Sequence, residues 1–169
     1  IYTLSLHDAL PICFVQIYGQ GESPMTITAL SRDWHRASDH PRYLERLASV
    51  GTAQSVVTVR ITDKDGTPLP AGETGEIEVK GLTVMLGYWN NPKANAETLR
   101  DGWLRTGDIC RIDADGFVYI MGRAKDVIIR GGHNIDPQMI EEALHKHPAV
   151  AMAAAVGKPD EKAGELPVV

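Results

Sequence analysis

The sequence predicts an α+β fold: an antiparallel β-rich lobe over about residues 51–122, followed by a small α+β segment over residues 124–169. Three observations predict it. Val56, Thr58 and Arg60, and later Ile77 and Val79, sit in runs where apolar and polar residues alternate, the period of a half-buried strand. Clusters of Asp, Gly and Pro at residues 63–72 and 113–116 separate such runs as turns. Asp136-Pro137 then opens the clearest helix, because an Asp cap followed by Pro suits a helix start, and Met139, Ile140, Ala143 and Leu144 fall on one face.

Taken in order, residues 14–17 form a short apolar run that ends at Tyr18-Gly19, which reads as a buried strand followed by a glycine-rich turn. Residues 33–48 are polar, with Leu44 and Leu47 three apart and Pro41 interrupting, so the stretch is expected to be mostly irregular. SVVTVRITD and GEIEVKG predict two strands around a loop. Asn91-Pro92 offers a cap and a first turn for a short helix to Leu99. Residues 109–112 and 117–121 predict a hairpin, and residues 127–130 a strand stopped by Gly131-Gly132. His147-Pro148 ends the long helix, and residues 150–156 read as a buried strand followed by a charged loop.

Composition narrows the function classes. Lys and Arg total 17 against 22 Asp and Glu, and a net charge of -5 gives no broad field to attract nucleic acid. No apolar run approaches the length of a membrane span, so no transmembrane segment is expected. The two cysteines, Cys13 and Cys110, are expected to be reduced thiols in a cytoplasmic protein, with Cys110 in the core. His145 and His147 flank a helix end, where a cation is mildly favourable, and are not expected to bind a metal.

Three ordered motifs carry chemistry: YGQGE at residues 18–22, WLRTGD at 103–108 and GRAKDVIIRGGHNIDPQMIEEAL at 122–144. An aromatic ring beside a glycine can stack on a purine while the backbone approaches closely, and a carboxylate such as Glu22 can hold a divalent cation. A carboxylate after Thr-Gly, Asp108, can accept bonds from both hydroxyls of a ribose. The fixed donor fork of Arg123 suits oxygen acceptors. Taken as an ordered set, these motifs resemble the adenylate-forming (AMP-binding) superfamily of AMP-forming acyl-CoA synthetases.

The resemblance implies an acid–thiol ligase that joins a carboxylic acid to AMP from ATP and then passes the acyl group to coenzyme A. It implies that Tyr18 and Gly19 line the adenine pocket, that Glu22 acts in catalysis by holding Mg²⁺ near the ATP phosphates, and that Asp108 and Arg123 bind the ribose and phosphate. Lys125 falls at the hinge between a large domain, here residues 13–123, and a small one, residues 124–169. Gly131 and Gly132 would line the path of the CoA pantetheine arm. Glu22, Asp108 and Arg123 are expected to converge on one cleft. The family usually carries Thr before the Glu, where this chain has Gly21, so no hydroxyl is offered to the phosphate there.

The family's phosphate loop and its catalytic lysine match nothing in these residues, which implies a fragment of the two-domain enzyme, inactive alone. The implied partners are a small carboxylic acid, ATP and CoA, with no nucleic acid. A carrier-loading adenylation domain and an aryl-CoA ligase fit the same motifs, and a non-catalytic nucleotide-binding or interaction module stands as a reading of another class.

Residues 1–12 (IYTLSLHDALPI) resemble the in-frame translation of a sequencing-adapter oligonucleotide, a scar with no part in the fold. Deleting them is expected to leave the thermal melt unchanged or improve solubility. A loss above about 2 kcal/mol, the scale of a genuine core contact, would show that the segment belongs to the fold.

Overall fold

The computed structural model describes residues 14–169; residues 1–12, read above as an adapter translation, and Cys13 lie outside them. The fold is α+β, as expected, with twelve strands and four helices among the described residues. The chain divides into two compact units. One comprises the described residues through Thr106 together with Cys110–Ile120; the other comprises Gly107–Ile109 and Met121–Val169.

In the first unit, β1 (Gln16–Gln20) and β2 (Ser23–Leu30) pair antiparallel, and β2 also carries β3 (Thr52–Ala53). The strand expected to end before Tyr18 therefore runs on to Gln20, and the turn falls at Gly21-Glu22 instead. The continuation follows from pairing: Tyr18 lies opposite Thr28, and burial of its ring holds the strand in register through it.

Between β2 and β3, the stretch expected to be irregular folds into two five-residue helices, α1 (Arg32–Arg36) and α2 (Tyr43–Leu47). Pro41 lies between them, so it separates two helices rather than abolishing both. Packing compensates for weak local preference. Arg46 of α2 is 7% exposed, with its guanidinium 4.3 Å from the centre of the Trp34 ring and 4.8 Å from that of Phe117.

The main sheet contains β4 (Val57–Thr62), β5 (Thr74–Gly81), β6 (Leu99–Arg100), β7 (Trp103–Ile112) and β8 (Val118–Arg123), ordered β4-β5-β7-β6 with β8 on β7. The alternation read in the sequence sets its register: Val59 faces Val79 and Ile61 faces Ile77. Ile61, Ile77 and Val79 join Tyr18, Ile27, Leu104, Cys110 and Val118 in one core cluster. Before β6, α3 (Pro92–Thr98) starts where its cap was expected, the Asn91 side chain accepting a bond from the Ala94 N–H at 3.1 Å. β7 begins at Trp103, earlier than the predicted hairpin arm.

In the second unit, β9 (Ile128–Arg130) and β10 (His133–Ile135) form a hairpin, α4 (Pro137–His145) follows, and β11 (Val156–Asp160) and β12 (Gly164–Val168) form another. Their sheet order is β10-β9-β12-β11. Asp136 caps α4 by accepting the Gln138 N–H at 2.9 Å. Its expected apolar face is not buried: Met139 is 67% exposed, and no residue of α4 is fully buried.

The strand predicted at residues 150–156 is absent from that position; β11 starts only at Val156. The reason lies in α4 and in a run of weakly strand-forming alanines. Glu141 Oε1 accepts the Ala155 N–H at 2.9 Å and His145 Nε2 accepts the Ala153 N–H at 3.2 Å, so side chains take the bonds that a ladder would use. The predicted charged loop is instead a hairpin. Asp160 Oδ1 accepts the N–H groups of Lys162 and Ala163, and these bonds hold its carboxyl below the usual range.

A charged cluster ties α2 to the turn between β7 and β8. Arg42 donates to Asp113 Oδ2 at 2.6 Å, to Asp115 Oδ2 at 2.7 Å and to Glu45 at 2.8 Å. Burial pushes the Asp113 carboxyl up, but the Phe117 N–H, Arg42 and the Asp115 N–H outweigh it and leave it lowered. A lowered folded value contributes stability above the ordinary carboxylate pKa of about 4 and loses it as pH falls from there through the folded value. Asp113→Asn is therefore expected to destabilise at neutral pH by about 1–3 kcal/mol. In urea unfolding across pH, the gap to wild type should shrink as pH drops through that window; a constant gap would contradict the assignment.

Candidate functional site

The second unit holds a buried carboxylate paired with an arginine. β7 alternates buried and half-buried residues from Trp103 to Cys110, so Leu104, Thr106, Asp108 and Cys110 share the inward parity. Asp108 is 5% exposed. A carboxylate at such a position is costly unless it is paired. Arg123, at the end of β8, meets it with Nε 2.9 Å from Oδ1, while the Arg123 side chain stays 50% exposed. The Ala124 N–H donates to the Gly107 carbonyl at 2.8 Å and holds the two segments together beside the pair. The result is a fixed carboxylate with a guanidinium whose outer half faces solvent, an arrangement that can accept hydroxyls at one end and bind an anion at the other.

Immediately after the pair, the chain turns. The N–H groups of Asp126 and Val127 both donate to the Arg123 carbonyl, and Lys125 lies exposed on that turn. Gly131 and Gly132 form the two-residue loop of the β9–β10 hairpin, with φ of +57° and +83°. Positive φ at both central positions is what a tight hairpin turn demands, and a Cβ on either would meet nothing within 4 Å. The turn accounts for both glycines and leaves open space beside them.

Glu22, Tyr18 and Gly19 belong to the first unit, so Asp108 and Arg123 are brought together and Glu22 sits in a different unit. The Tyr18 ring is in the core cluster rather than on a turn. Gly19 lies opposite an irregularity of β2, where Met25 adopts a φ of +54°. A Cβ at Gly19 would lie 2.3 Å from the Met25 nitrogen, so the close strand approach requires glycine.

Glu22 is half-buried and held from two directions. Its carbonyl accepts the Met85 N–H at 2.8 Å, and its Oε1 accepts the Tyr88 hydroxyl at 2.5 Å. Oε2 accepts no hydrogen bond among the described residues. The bond to Glu22, with burial and the carboxylate charge, pushes the Tyr88 phenol up from its ordinary pKa. Tyr88 is itself clamped by α3: Asn95 Oδ1 accepts the Tyr88 N–H at 2.6 Å, and Asn95 Nδ2 donates to the Tyr88 carbonyl at 3.1 Å. Sequence reasoning missed Tyr88 and Asn95. The available signal was the Gly-Tyr-Trp stretch just before the Asn91-Pro92 cap, a structured turn presenting an aromatic hydroxyl.

No group of three or more His, Cys, Asp or Glu side chains among the described residues forms a metal cage. His145 and His147 instead accept backbone N–H bonds from Ala153 and Ala149. Glu22 fits a different mode, in which a hard cation is held by one carboxylate together with substrate phosphates and water.

A family profile described as "AMP-binding enzyme" matches residues 4–89, and one described as "AMP-binding enzyme C-terminal domain" matches residues 139–169. The chain belongs to the AMP-binding enzyme family. It is 46% identical over 152 residues to the medium/long-chain-fatty-acid–CoA ligase FadD8 of Mycobacterium tuberculosis, a match covering 90% of this chain and 25% of that protein. Feruloyl-CoA synthase of an Amycolatopsis species is 40% identical over 155 residues, covering 92% and 30%. Among solved structures, the O-succinylbenzoate coenzyme A synthetase (MenE) of Bacillus subtilis in complex with AMP superposes with a TM-score of 0.77 at 38% identity, covering 90% of this chain and 30% of that one. The chain thus spans between a quarter and a third of the length of these relatives.

Proposed function

We propose that this chain is part of an ATP-dependent, AMP-forming acid–thiol ligase, an acyl-CoA synthetase. The observation that carries this reading is the buried Asp108 carboxylate held by a half-exposed Arg123. In the proposed reaction a carboxylate oxygen of the acid attacks the α-phosphorus of ATP and pyrophosphate leaves. The sulfur of CoA then attacks the acyl-adenylate carbonyl, the thiol proton is lost and AMP departs with its phosphate oxygen.

Asp108 accepts the ribose hydroxyls, and Arg123 both orients that carboxylate and directs its outer N–H groups to the nucleotide. Tyr18 and Gly19 brace the adenine side of the site, the Tyr18 ring by its burial in the core and Gly19 by admitting the Met25 backbone of β2. Glu22 presents Oε2 to Mg²⁺, which when bound neutralises charge on the ATP phosphates. Lys125 is the hinge at which the large domain through Arg123 gives way to the small domain from Ala124, its exposed turn free to absorb a backbone change. The open side of Gly131 and Gly132 accommodates the pantetheine arm. ATP, CoA and a carboxylic acid are the small-molecule partners, with no nucleic acid, and these substrates suit a cytoplasmic enzyme. No helix among the described residues is long and apolar enough to cross a membrane.

The relatives' names range from fatty-acid to feruloyl and succinylbenzoate ligases, so the proposal extends to the carboxylic acid class as a whole. Titrating the isotopically labelled chain with AMP is expected to shift the amide signals of Asp108 and Arg123, without ATP–pyrophosphate exchange. Asp108→Asn should weaken AMP binding by about tenfold or more, the worth of a hydrogen bond to a charged group. An undiminished response in that variant would overturn the assignment, and turnover by this chain would overturn the view that the catalytic apparatus extends beyond it.

A further inference from the structure

The segment after β5 does more than connect it to α3. Leu82 and Leu86 are fully exposed and Trp89 is 98% exposed, whereas Val84 and Met85 between them pack against the core. The loop is therefore pinned from inside, and its pinned side faces Glu22. Thr83 Oγ1 lies 2.9 Å from Thr26 Oγ1, the Met85 N–H donates to the Glu22 carbonyl, and the Tyr88 hydroxyl donates to Glu22 Oε1 at 2.5 Å. The Asn95 amide closes on both backbone groups of Tyr88.

Each of these contacts removes a freedom from the carboxylate. The Met85 bond fixes the Glu22 backbone at the tip of the β1–β2 hairpin. The Tyr88 hydroxyl donates its proton to Oε1. Asn95 stops the tyrosine from swinging away with its exposed neighbours Leu86 and Trp89. A long acidic side chain on a two-residue turn would otherwise sample several rotamers, and that freedom would have to be lost on binding a cation. Here one oxygen is engaged and the other accepts no hydrogen bond among the described residues.

We propose that Tyr88 is a positioning residue for Glu22: its hydroxyl anchors Oε1 so that Oε2 is presented, preoriented, to a hard divalent cation. The inference rests on reading Glu22 as the cation-binding carboxylate. Asn95 forms the outer part of the same device and links α3 through Tyr88 to the hairpin tip. Partners of this kind commonly change metal affinity by tenfold or more when removed, although they never touch the metal.

The test uses the whole 169-residue chain and Mn²⁺ titrated in the presence of ATP as the probe, because the phosphates complete the cation's oxygen shell and its unpaired electrons broaden amide signals near the place where it binds. In wild type, the Glu22 and Ser23 amides should broaden at lower Mn²⁺ than the other acidic positions, and Glu22→Gln should abolish that response. Tyr88→Phe, with signal dispersion retained, should raise the Mn²⁺ concentration for half-broadening at Ser23 by about tenfold. Asn95→Ala, which keeps the tyrosine hydroxyl but removes both bonds to the Tyr88 backbone, should raise it by about threefold and serves if Tyr88→Phe does not fold. If Glu22→Gln abolishes broadening while Tyr88→Phe and Asn95→Ala leave the midpoint unchanged, Tyr88 is merely structural and the positioning role is overturned. If the wild-type Glu22 and Ser23 amides do not broaden at all, the cation-binding reading falls and the positioning role falls with it.

Discussion

A carboxylate on the inward parity of a strand must be paired if it is to stay charged, and much of the second unit's first segment answers that constraint at Asp108. β7 is ten residues long and buries alternate positions, so Asp108 comes inward for the same reason that Leu104 and Cys110 do. β8 extends to Arg123, the position from which a guanidinium can reach it. The turn that follows is then hung on the Arg123 carbonyl, and the Ala124 N–H returns to Gly107. Removing the arginine would take the ion-pair partner seen here from a buried carboxylate, a greater penalty than the pair's own net worth. The proposed ribose contact thus borrows a group that the fold already holds in place.

The hairpin tip of the first unit solves a different problem. Glu22 is on a turn, where nothing intrinsic fixes a long side chain. The structure supplies order from α3, through Asn95 and Tyr88, in contacts that span up to 66 residues of sequence. Gly19 supplies the complementary constraint from the strand side, since any side chain there would collide with the Met25 backbone. In the proposed function, the two carboxylates differ in how they are prepared: Asp108 by an ion pair, Glu22 by a neutral hydroxyl that leaves an oxygen open.

Local chemistry explains what could be read in the sequence. The main sheet was legible because Val57 to Thr62 and Glu76 to Gly81 alternate against each other, and α3 and α4 because Asn91-Pro92 and Asp136-Pro137 cap them. Asp108 and Arg123 were legible as a pair through their motifs, and the structure brings them together. Contacts decided by distant side chains were not legible. Tyr18 is drawn into the core by Thr28 across the ladder, α2 is stabilised by Arg46 stacking on Trp34 and Phe117, and residues 150–155 lose their ladder bonds to Glu141 and His145. Tyr88 escaped notice because a tyrosine in a loop has no periodic signal, and its partner lies on another hairpin.

In the proposed function, Asp108 reads a ribose. Parallel amide titrations of the chain with AMP and with 2′,3′-dideoxy-AMP, followed at Asp108, test it most directly, because the two ligands differ only in the hydroxyls that the carboxylate is held to accept. The dideoxy ligand is expected to bind at least about tenfold more weakly than AMP. Equal affinity for the two would contradict it.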